Sequence, residues 1–266
     1  MLIVDLGYLT FKLAFGGFES WQYKNGSQVA IAAVDNKSKR KELYPDYKKY
    51  RNVGKDEVIR MVWDLRKQVE TDKLLPLCSI EGLEADDLVT CWYIFNPEDG
   101  IVGVDKDFFQ LPGLQNVYYH SMKNYNKLTA IEKLPEYVQA LAIENFALYQ
   151  ILLGDVADNI PRLLAKGKLG KQQIEQTLIA SDNGNLGEWL LDVFGDRVKI
   201  NAGLVLLPYF EYGDFHSDFT DWFDCWCSGH YYDTWNWSKL YGRMKACLGE
   251  NKVTQDNEIW DMFSLA

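Results

Sequence analysis

Short apolar runs that end in aspartate recur along the first half of the chain. They are Leu2–Val4 before Asp5, Ala30–Val34 before Asp35, and Ile101–Val104 before Asp105. Apolar runs without polar alternation are typical of strands that are buried on both faces of a parallel sheet. Residues 74–80 and 117–120 are two further candidate strands.

Helical spacing of apolar residues separates these runs. It predicts helices around residues 58–65 and 88–95, a helical stretch from about residue 140 that ends at Gly154, and another helix over Lys171–Leu178. Alternating strands and helices are the pattern of the α/β class. We therefore predict an α/β fold with a central, mainly parallel sheet flanked by helices.

The composition is that of a globular protein. The 266 residues are 47% hydrophobic and 25% charged, which allows one large core, or a core with a small helical lobe. The start shows no signal-peptide pattern and no window is apolar enough for a membrane span. Five scattered cysteines favour reduced thiols, so we expect a cytoplasmic protein.

The acidic residues point to a metal site. Carboxyl ends of parallel strands meet at one edge of a sheet, and further acids follow the strand-end aspartates in close groups. Turn or helix-cap chemistry would explain any one of them alone, but their number favours a shared site. Crowded carboxylates need a cation between them, and all-oxygen ligation favours two Mg²⁺ or Mn²⁺ ions. The candidate ligands are Asp5, Asp35, Glu84, Asp86, Asp87, Asp105, Asp107, Asp155 and Asp158.

The net charge of −10 is unfavourable for a nucleic-acid partner, but the distribution of the charged residues along the chain is favourable. Removing the nine candidate ligands from the 38 acidic residues leaves 29, against 28 basic ones. Residues 37–55 hold eight Lys or Arg against Glu42 and Asp46. Lys48 and Arg51 are predicted on one face of a helix just beyond Pro45, where they could polarise a phosphate beside the metals.

The motifs together resemble the 5′-nucleases, a family that includes phage 5′-3′ exonucleases, flap endonucleases and the 5′-nuclease domain of bacterial DNA polymerase I. The resemblance covers roughly residues 1–178, with Leu6, Asn36 and Arg162 where glycine is usual. The matching segments are Ile3–Asp5 with Lys12, Val34–Asp35, Arg40–Leu43, Pro45–Arg51, Glu84–Asp87, Asp105–Phe108 and Gly154–Pro161.

The resemblance implies a PIN-like core with a helical arch and a helix-three-turn-helix segment. It implies a first metal group of Asp5, Asp35, Glu84, Asp86 and Asp87, and a second of Asp105, Asp107, Asp155 and Asp158, with Asp105 shared. It also implies catalytic roles for Lys48, Arg51 and Lys12, and DNA contacts from Tyr47, Arg40, Lys166, Lys168 and Lys171, with K⁺ held by backbone carbonyls of the helix-three-turn-helix.

The chain is predicted to have three segments and one enzymatic function. Residues 1–138 form the nuclease core with a short arch at 46–72, residues 139–200 the helix-three-turn-helix, and residues 201–266 an aromatic region that packs on the core. We predict a two-metal 5′-3′ exonuclease or flap endonuclease that acts on DNA 5′ ends, flaps or duplex. It would be a monomer of the cytoplasm, or of the host cytoplasm if phage-encoded. The alternatives are a PIN-like ribonuclease and a non-catalytic DNA-binding replication accessory protein.

The C-terminal region carries two weaker signals. Amphipathic helical spacing among aspartates is shared by Phe215, Phe219, Trp222, Phe223 and Trp226. It favours packing on the core over base stacking, with contact to a replication protein as a third interpretation. Cys225, Cys227 and His230 lack the usual zinc spacing, so buried thiols are favoured over a zinc site.

Overall fold

The sheet has five parallel strands in the order β3-β2-β1-β4-β5. The computed structural model describes residues 1–51, 56–111, 113–114, 117–207, 220, 223 and 237–250. The strands are β1 (Leu2–Asp5), β2 (Val29–Ala33), β3 (Leu77–Cys78), β4 (Gly100–Val102) and β5 (Val117–Tyr118). The α/β prediction is confirmed, although β3 and β5 are shorter than the predicted strands at 74–80 and 117–120.

Helices connect and cover these strands. In chain order they are α1 (Leu6–Leu13), α2 (Phe18–Asn25), α3 (Arg40–Leu43), α4 (Asp56–Thr71), α5 (Ala85–Phe95), α6 (Lys127–Glu132), α7 (Glu136–Glu144), α8 (Phe146–Leu153), α9 (Gly167–Asp182), α10 (Leu186–Phe194), α11 (Arg197–Val205) and α12 (Trp237–Glu250). None of the helices in the described part of the chain is both long and apolar enough to cross a membrane.

Both faces of the sheet are buried, which explains the unbroken apolar runs. Successive residues of a strand point to opposite faces. Ile3 of β1 accordingly packs in one apolar cluster with α5 and the later helices. Its neighbours Leu2 and Val4 pack in a second cluster with α1 and α2. Each strand residue therefore has to be apolar until the strand ends.

The strand order places the ends of β1 and β4 at a switch point. The chain runs outward from β1 through β2 to β3, then returns to the other side of β1 for β4 and β5. In open α/β sheets a crevice forms outside the carboxyl ends of the strands at such a point. Asp5 ends β1 and Asp105 follows β4, so these two carboxylates lie on either side of the crevice.

Gly154 allows a tight acidic loop to follow α8. Its φ of 67° lies in the left-handed region, and a Cβ there would come within 2.4 Å of the Ile160 carbonyl oxygen. Only glycine fits both conditions. Asp155 and Ile160 exchange two backbone hydrogen bonds of 3.0 and 2.7 Å that close the loop, and Asp155 and Asp158 lie on it.

The segment that carries Lys48 and Arg51 is not the predicted helix. Residues 45–51 form consecutive turns, and Lys48 has a φ of 56°, which a helix cannot contain. The Lys48 N–H donates to the Asp158 carbonyl oxygen at 2.9 Å instead of to a helical partner. A hydrogen bond to a distant loop thus replaces the local helical one.

Two predicted features fall partly or wholly outside the described residues. Of the arch predicted at 46–72, the structure describes the turns up to Arg51 and helix α4 from Asp56. Phe215, Phe219, Trp222 and Trp226 lie outside the described residues, as do Cys225, Cys227 and His230. Phe223 is described and is fully buried.

Candidate active site

The strand-end aspartates converge on one small space. A carbon atom added at Gly7 would lie 3.3 Å from Asp5 Oδ1 and 3.7 Å from Asp35 Oδ2, so these two oxygens face the same point. Backbone N–H groups hold one oxygen of each carboxylate. Tyr8 donates to Asp5 at 3.0 Å, Ala85 to Asp35 at 2.8 Å, and Asp107 to Asp105 at 2.9 Å. These bonds orient the side chains, and the remaining lone pairs of each carboxylate are available to a cation.

Burial and neighbouring negative charges raise the pKa values of three carboxyls at this site. Burial raises the pKa of Asp5 to about 7, and the charges of Asp35 and Asp105 add to the shift. Burial and the charge of Asp105 also raise the pKa of Asp107 to about 8. The pKa of Asp86 is raised by burial, then by Asp105 and Asp5. Asp105 therefore interacts with both predicted metal groups, as a shared ligand would.

The second acidic group is held by polar side chains. Gln150 of α8 donates to Asp107. Lys106 Nζ lies 2.6 Å from Asp155 Oδ2. Burial alone would raise the pKa of Asp155, but the hydrogen bond and charge of Lys106 outweigh it and lower the pKa. Asp158 faces both Asp107 and Asp105, which places it at the border of the two groups.

Lys48 and Arg51 face the acids from the turn segment. Lys48 Nζ lies 3.0 Å from Glu84 Oε2 and 3.9 Å from Asp158 Oδ2, and Arg51 Nη1 lies 3.7 Å from Asp158 Oδ1. The Asn159 amide donates to the Asp46 carbonyl oxygen at 2.9 Å and fastens the turn to the acidic loop. Tertiary contacts thus hold the two cations where a helix was predicted to present them.

Arg40 is a buried structural residue, which corrects its predicted role in DNA binding. Its side chain is 1% exposed and forms two 2.8 Å bonds with the Asp87 carboxylate and a 3.3 Å contact with Glu84. It also donates to the carbonyl oxygens of Leu204 and Leu206. A phosphate cannot reach a guanidinium enclosed in this way.

Asp87 and Glu84 are directed toward Arg40, which changes their predicted part in the first metal group. Both oxygens of the fully buried Asp87 carboxylate bind the guanidinium, so Asp87 is corrected from a metal ligand to an ion-pair partner. Burial would raise the pKa of Glu84, but Arg40 and Lys48 lower it to about 2. Glu84 therefore stays ionised beside Lys48.

Tyr47 is also buried, so it cannot stack on a nucleotide as predicted. Its side chain is 3% exposed and its hydroxyl donates to Glu84 at 3.1 Å. Lys12, predicted to be catalytic, lies exposed on α1, with its ammonium 5.9 Å from the centre of the Tyr8 ring and 5.7 Å from that of Phe11. It borders the acidic site through Tyr8 and contacts none of the acids in the described structure.

The predicted phosphate-binding lysines lie at the start of α9. Lys166 is the N-cap residue and Lys168 and Lys171 follow, all three exposed. Gly170 is required here, because a Cβ would come within 2.1 Å of the Ala165 carbonyl oxygen. Arg162 donates to the carbonyl oxygens of Leu164 and Ala165. The Arg162 guanidinium therefore already binds two carbonyl oxygens of this turn, so these residues do not fit a K⁺ ion there.

The chemistry of the donor set fits hard divalent ions. Within the described residues no three His, Cys, Asp or Glu side chains have the close geometry of a formed metal site. The acids are instead drawn toward Lys106, Gln150 and backbone N–H groups. Burial, and after it the charges of neighbouring carboxylates, raise the pKa values of Asp5 and Asp107, and a bound cation would offset both effects. Oxygen ligands of this kind suit Mg²⁺ and Mn²⁺.

The sequence motifs missed three residues that hold the site. Lys106 stands between Asp105 and Asp107 in the sequence and is not part of the predicted site, yet its ammonium pairs with Asp155. Gln150 is a single polar residue in an otherwise apolar helix, and this isolation was a usable signal. Arg66 of α4 donates to the Asp35 carbonyl oxygen at 3.0 Å, and nothing in the local sequence indicates that contact.

Comparison with known proteins identifies one matching family. Residues 18–139 match the family described as 5′-3′ exonuclease, N-terminal resolvase-like domain. DNA polymerase I of Borreliella burgdorferi is 26% identical over 145 residues, which are 49% of this chain and 15% of that protein. This chain therefore spans a small part of that relative's length.

Solved structures of bacteriophage T5 proteins share the fold. The T5 5′-exonuclease with bound zinc is 19% identical, with a TM-score of 0.54, over 78% of this chain and 89% of that one. The T5 flap endonuclease in a complex with DNA and metal ions is 17% identical, with a TM-score of 0.51, over 86% and 97%. These structure matches confirm the predicted fold, and the family match over residues 18–139 agrees with the resemblance to 5′-nucleases.

Proposed function

We propose that this chain, with its match to the 5′-3′ exonuclease family, is a divalent-metal-dependent 5′-nuclease that hydrolyses DNA phosphodiester bonds by a two-metal mechanism. The observation that carries the proposal is the convergence of Asp5, Asp35, Asp86 and Asp105 at the switch point, where burial and neighbouring carboxylates raise the pKa values of Asp5 and Asp86 and a bound cation would offset both effects. Asp107, Asp155 and Asp158 extend the same acidic surface.

The chain's own residues supply the grip on the substrate. Two bound divalent ions would supply a nucleophile at neutral pH and stabilise charge on the leaving oxygen. Lys48 is held by Glu84 and Asp158, so its ammonium is positioned before the substrate arrives. Arg51 is half exposed and can turn from Asp158 toward a phosphate oxygen. Fixed cations aimed at the developing charge are the preorganised electrostatics that catalysis requires.

A second contact would hold the duplex away from the reacting bond. Helix α9 begins with backbone N–H groups and the exposed side chains of Lys166, Lys168 and Lys171. Such a helix start binds phosphate through its N–H groups and dipole. We therefore assign the start of α9 to duplex binding, and residues 1–138 together with Asp155 and Asp158 to the chemistry.

A cleavage assay on matched substrates tests the proposal. The full chain should cut 5′-flap and duplex DNA at or near the 5′ end with Mg²⁺ or Mn²⁺, leave a 5′-phosphate, and be inactive in EDTA. Product mapping on labelled strands measures this. Cleavage of only the RNA version of the strand would favour the PIN-like ribonuclease, and DNA binding without any cleavage would favour the accessory protein.

The proposed site also predicts how stability depends on pH. A carboxyl whose pKa is raised by folding weakens the fold once it ionises, so stability falls as the pH rises from its unfolded value to its folded one. Asp5 and Asp107 have folded pKa values of about 7 and about 8, against the ordinary 3.8. In EDTA the melting temperature should therefore fall between about pH 4 and pH 8, and Mg²⁺ should remove most of this fall.

Calorimetry in several buffers and thermal melts measure the two effects. Mg²⁺ binding at neutral pH should release protons from these carboxyls. Asp107→Asn should flatten the pH dependence in EDTA, whereas Asp192→Asn, at an exposed acid of α10, should leave it unchanged. A melting temperature in EDTA that rises with pH over this range would contradict the prediction.

A further inference from the structure

Two thiols meet where helix α12 packs against the sheet. The Cys247 Sγ of α12 lies 3.9 Å from the carbonyl oxygens of both Leu77 and Ser79, the residues on either side of Cys78. Cys78 is the last residue of β3, and its thiol is within hydrogen-bonding reach of the Cys247 thiol. We call Cys78 and Cys247 the thiol pair. It joins α12 to a strand that lies 168 to 170 residues earlier in the chain.

The thiol pair lies at an outer edge of the sheet. β3 is an outermost strand, and the carbonyl oxygens of Pro76 and Cys78 accept bonds of 2.8 and 3.0 Å from the β2 side. The carbonyls of Leu77 and Ser79 alternate with these and point away from β2. Because an uncovered strand edge can pair with another chain, such edges are usually protected. Helix α12 covers this edge, and Cys247 is its contact with the outward carbonyls.

Aromatic contacts hold the other end of α12. The Tyr241 ring stacks on the Phe95 ring of α5 with centroids 4.4 Å apart, and it lies 5.4 Å from the Trp92 ring. The Asn96 side-chain amide also donates to the Tyr241 hydroxyl at 3.1 Å. These contacts fix α12 on α5, so the two members of the thiol pair stay together in the folded chain.

The two thiols differ in their access to solvent. Cys78 is fully buried, and burial raises the pKa of its thiol well above the ordinary range. Cys247 is only partly buried. Buried thiols are slow to react, whereas accessible ones are the first to be oxidised. A small oxidant from solvent therefore reaches Cys247 before Cys78. Cys91, a third thiol near Cys78, is fully buried in α5.

We propose that the thiol pair is a redox modification site, at which a peroxide joins Cys78 to Cys247 in a disulfide that fastens α12 to the sheet edge. The peroxide first converts the Cys247 thiol to a sulfenic acid and releases one water. The Cys78 sulfur then attacks the Cys247 sulfur, loses its proton and displaces the hydroxyl group as a second water. One peroxide thus takes two electrons and two protons from the two thiols. The inference does not depend on the proposed nuclease function.

Oxidation of the full chain in EDTA tests the proposal. After the reductant is removed, hydrogen peroxide should produce a disulfide between the peptides of Cys78 and Cys247, detected by mass spectrometry without reduction. Digestion after both basic residues and glutamate separates these peptides from those of the other cysteines, because Glu81 and Lys245 are cleavage points. A cross-link over a long loop restricts the unfolded chain, so the melting temperature should rise by roughly 5–10 °C and fall back with dithiothreitol.

Matched variants assign this effect to the thiol pair. Cys247→Ser, at the partly buried position, should form no cross-link and show no change of melting temperature on oxidation. Cys225→Ser with Cys227→Ser keeps the pair, so this variant should show the same cross-link and the same rise as the wild type. Cys91→Ala should lower the melting temperature of the reduced protein but keep the rise on oxidation, because Cys91 contributes to the core and not to the disulfide.

Three results would overturn the proposed site. The first is a cross-link through Cys91, Cys225 or Cys227 in place of Cys78. The second is oxidation of Cys247 to a sulfinic acid with no cross-link in the folded wild-type chain. The third is a disulfide of the thiol pair that leaves the melting temperature unchanged or lowers it, since α12 would then not be fastened in its native position. The nuclease assignment is unaffected by each of them, because the test uses neither metal nor DNA.

Discussion

Replacement of Asp105 by alanine is expected to abolish DNA cleavage while the chain stays folded. Asp105 raises the pKa of Asp5, Asp86 and Asp107, so it is the carboxylate that faces both acidic groups. Its loss should weaken binding of both ions. Metal stabilisation of the transition state amounts to several kcal/mol, so the rate should fall by roughly three orders of magnitude or more.

The same substitution should stabilise the protein in EDTA. Removing one of several mutually repelling charges relieves the others, so the melting temperature without metal should rise. Asp192→Asn, at an exposed position of α10, should change neither rate nor melting temperature. Metal-dependent cleavage retained by Asp105→Ala would refute the assignment of the acidic site.

Replacement of Arg40 by methionine is expected to have the largest effect on stability. Methionine keeps apolar length but leaves the carboxylates of Asp87 and Glu84 without their guanidinium, in surroundings where they are 0% and 5% exposed. Breaking a buried pair by removing one partner costs roughly 3–5 kcal/mol. Urea unfolding would measure this loss in the free energy of unfolding.

A double-mutant cycle separates the ion pair from packing. Asp87→Asn in the Arg40→Met background should cost much less than Asp87→Asn alone, because the buried charge is then already unpaired. Lys41→Ala, at the exposed neighbour on α3, should change stability by no more than about 0.5 kcal/mol. Equal, additive losses in the cycle would show that Arg40 and Asp87 do not act as a pair.

Side chains of the basic segment, residues 37–55, differ in burial in a way that the sequence motifs do not predict. One basic stretch with the same local character contains Arg40, Tyr47, Lys48 and Arg51, and no local pattern indicates which of these side chains is buried. In the structure Arg40 and Tyr47 turn inward to Asp87 and Glu84, whereas Arg51 stays outward near Asp158. Partners about 40 to 160 residues away along the chain determined these directions.

The sequence by itself determined the sheet and the edge at which chemistry could occur. Strands buried on both faces must be apolar throughout, so their runs and the aspartates that end them can be read locally. Gly154 likewise predicts the end of α8, because its positive φ is one that glycine adopts without strain.

Only the tertiary structure decided which charges neutralise each other. Whether an aspartate faces an arginine, a lysine or other aspartates depends on the packing of segments far apart in sequence, and Coulomb energies change steeply over a few ångströms in a partly buried site. Asp87 and Asp86 are adjacent in the chain, yet one binds Arg40 and the other faces Asp105. Helix rotation, which no single-sequence pattern fixes to that precision, makes the difference.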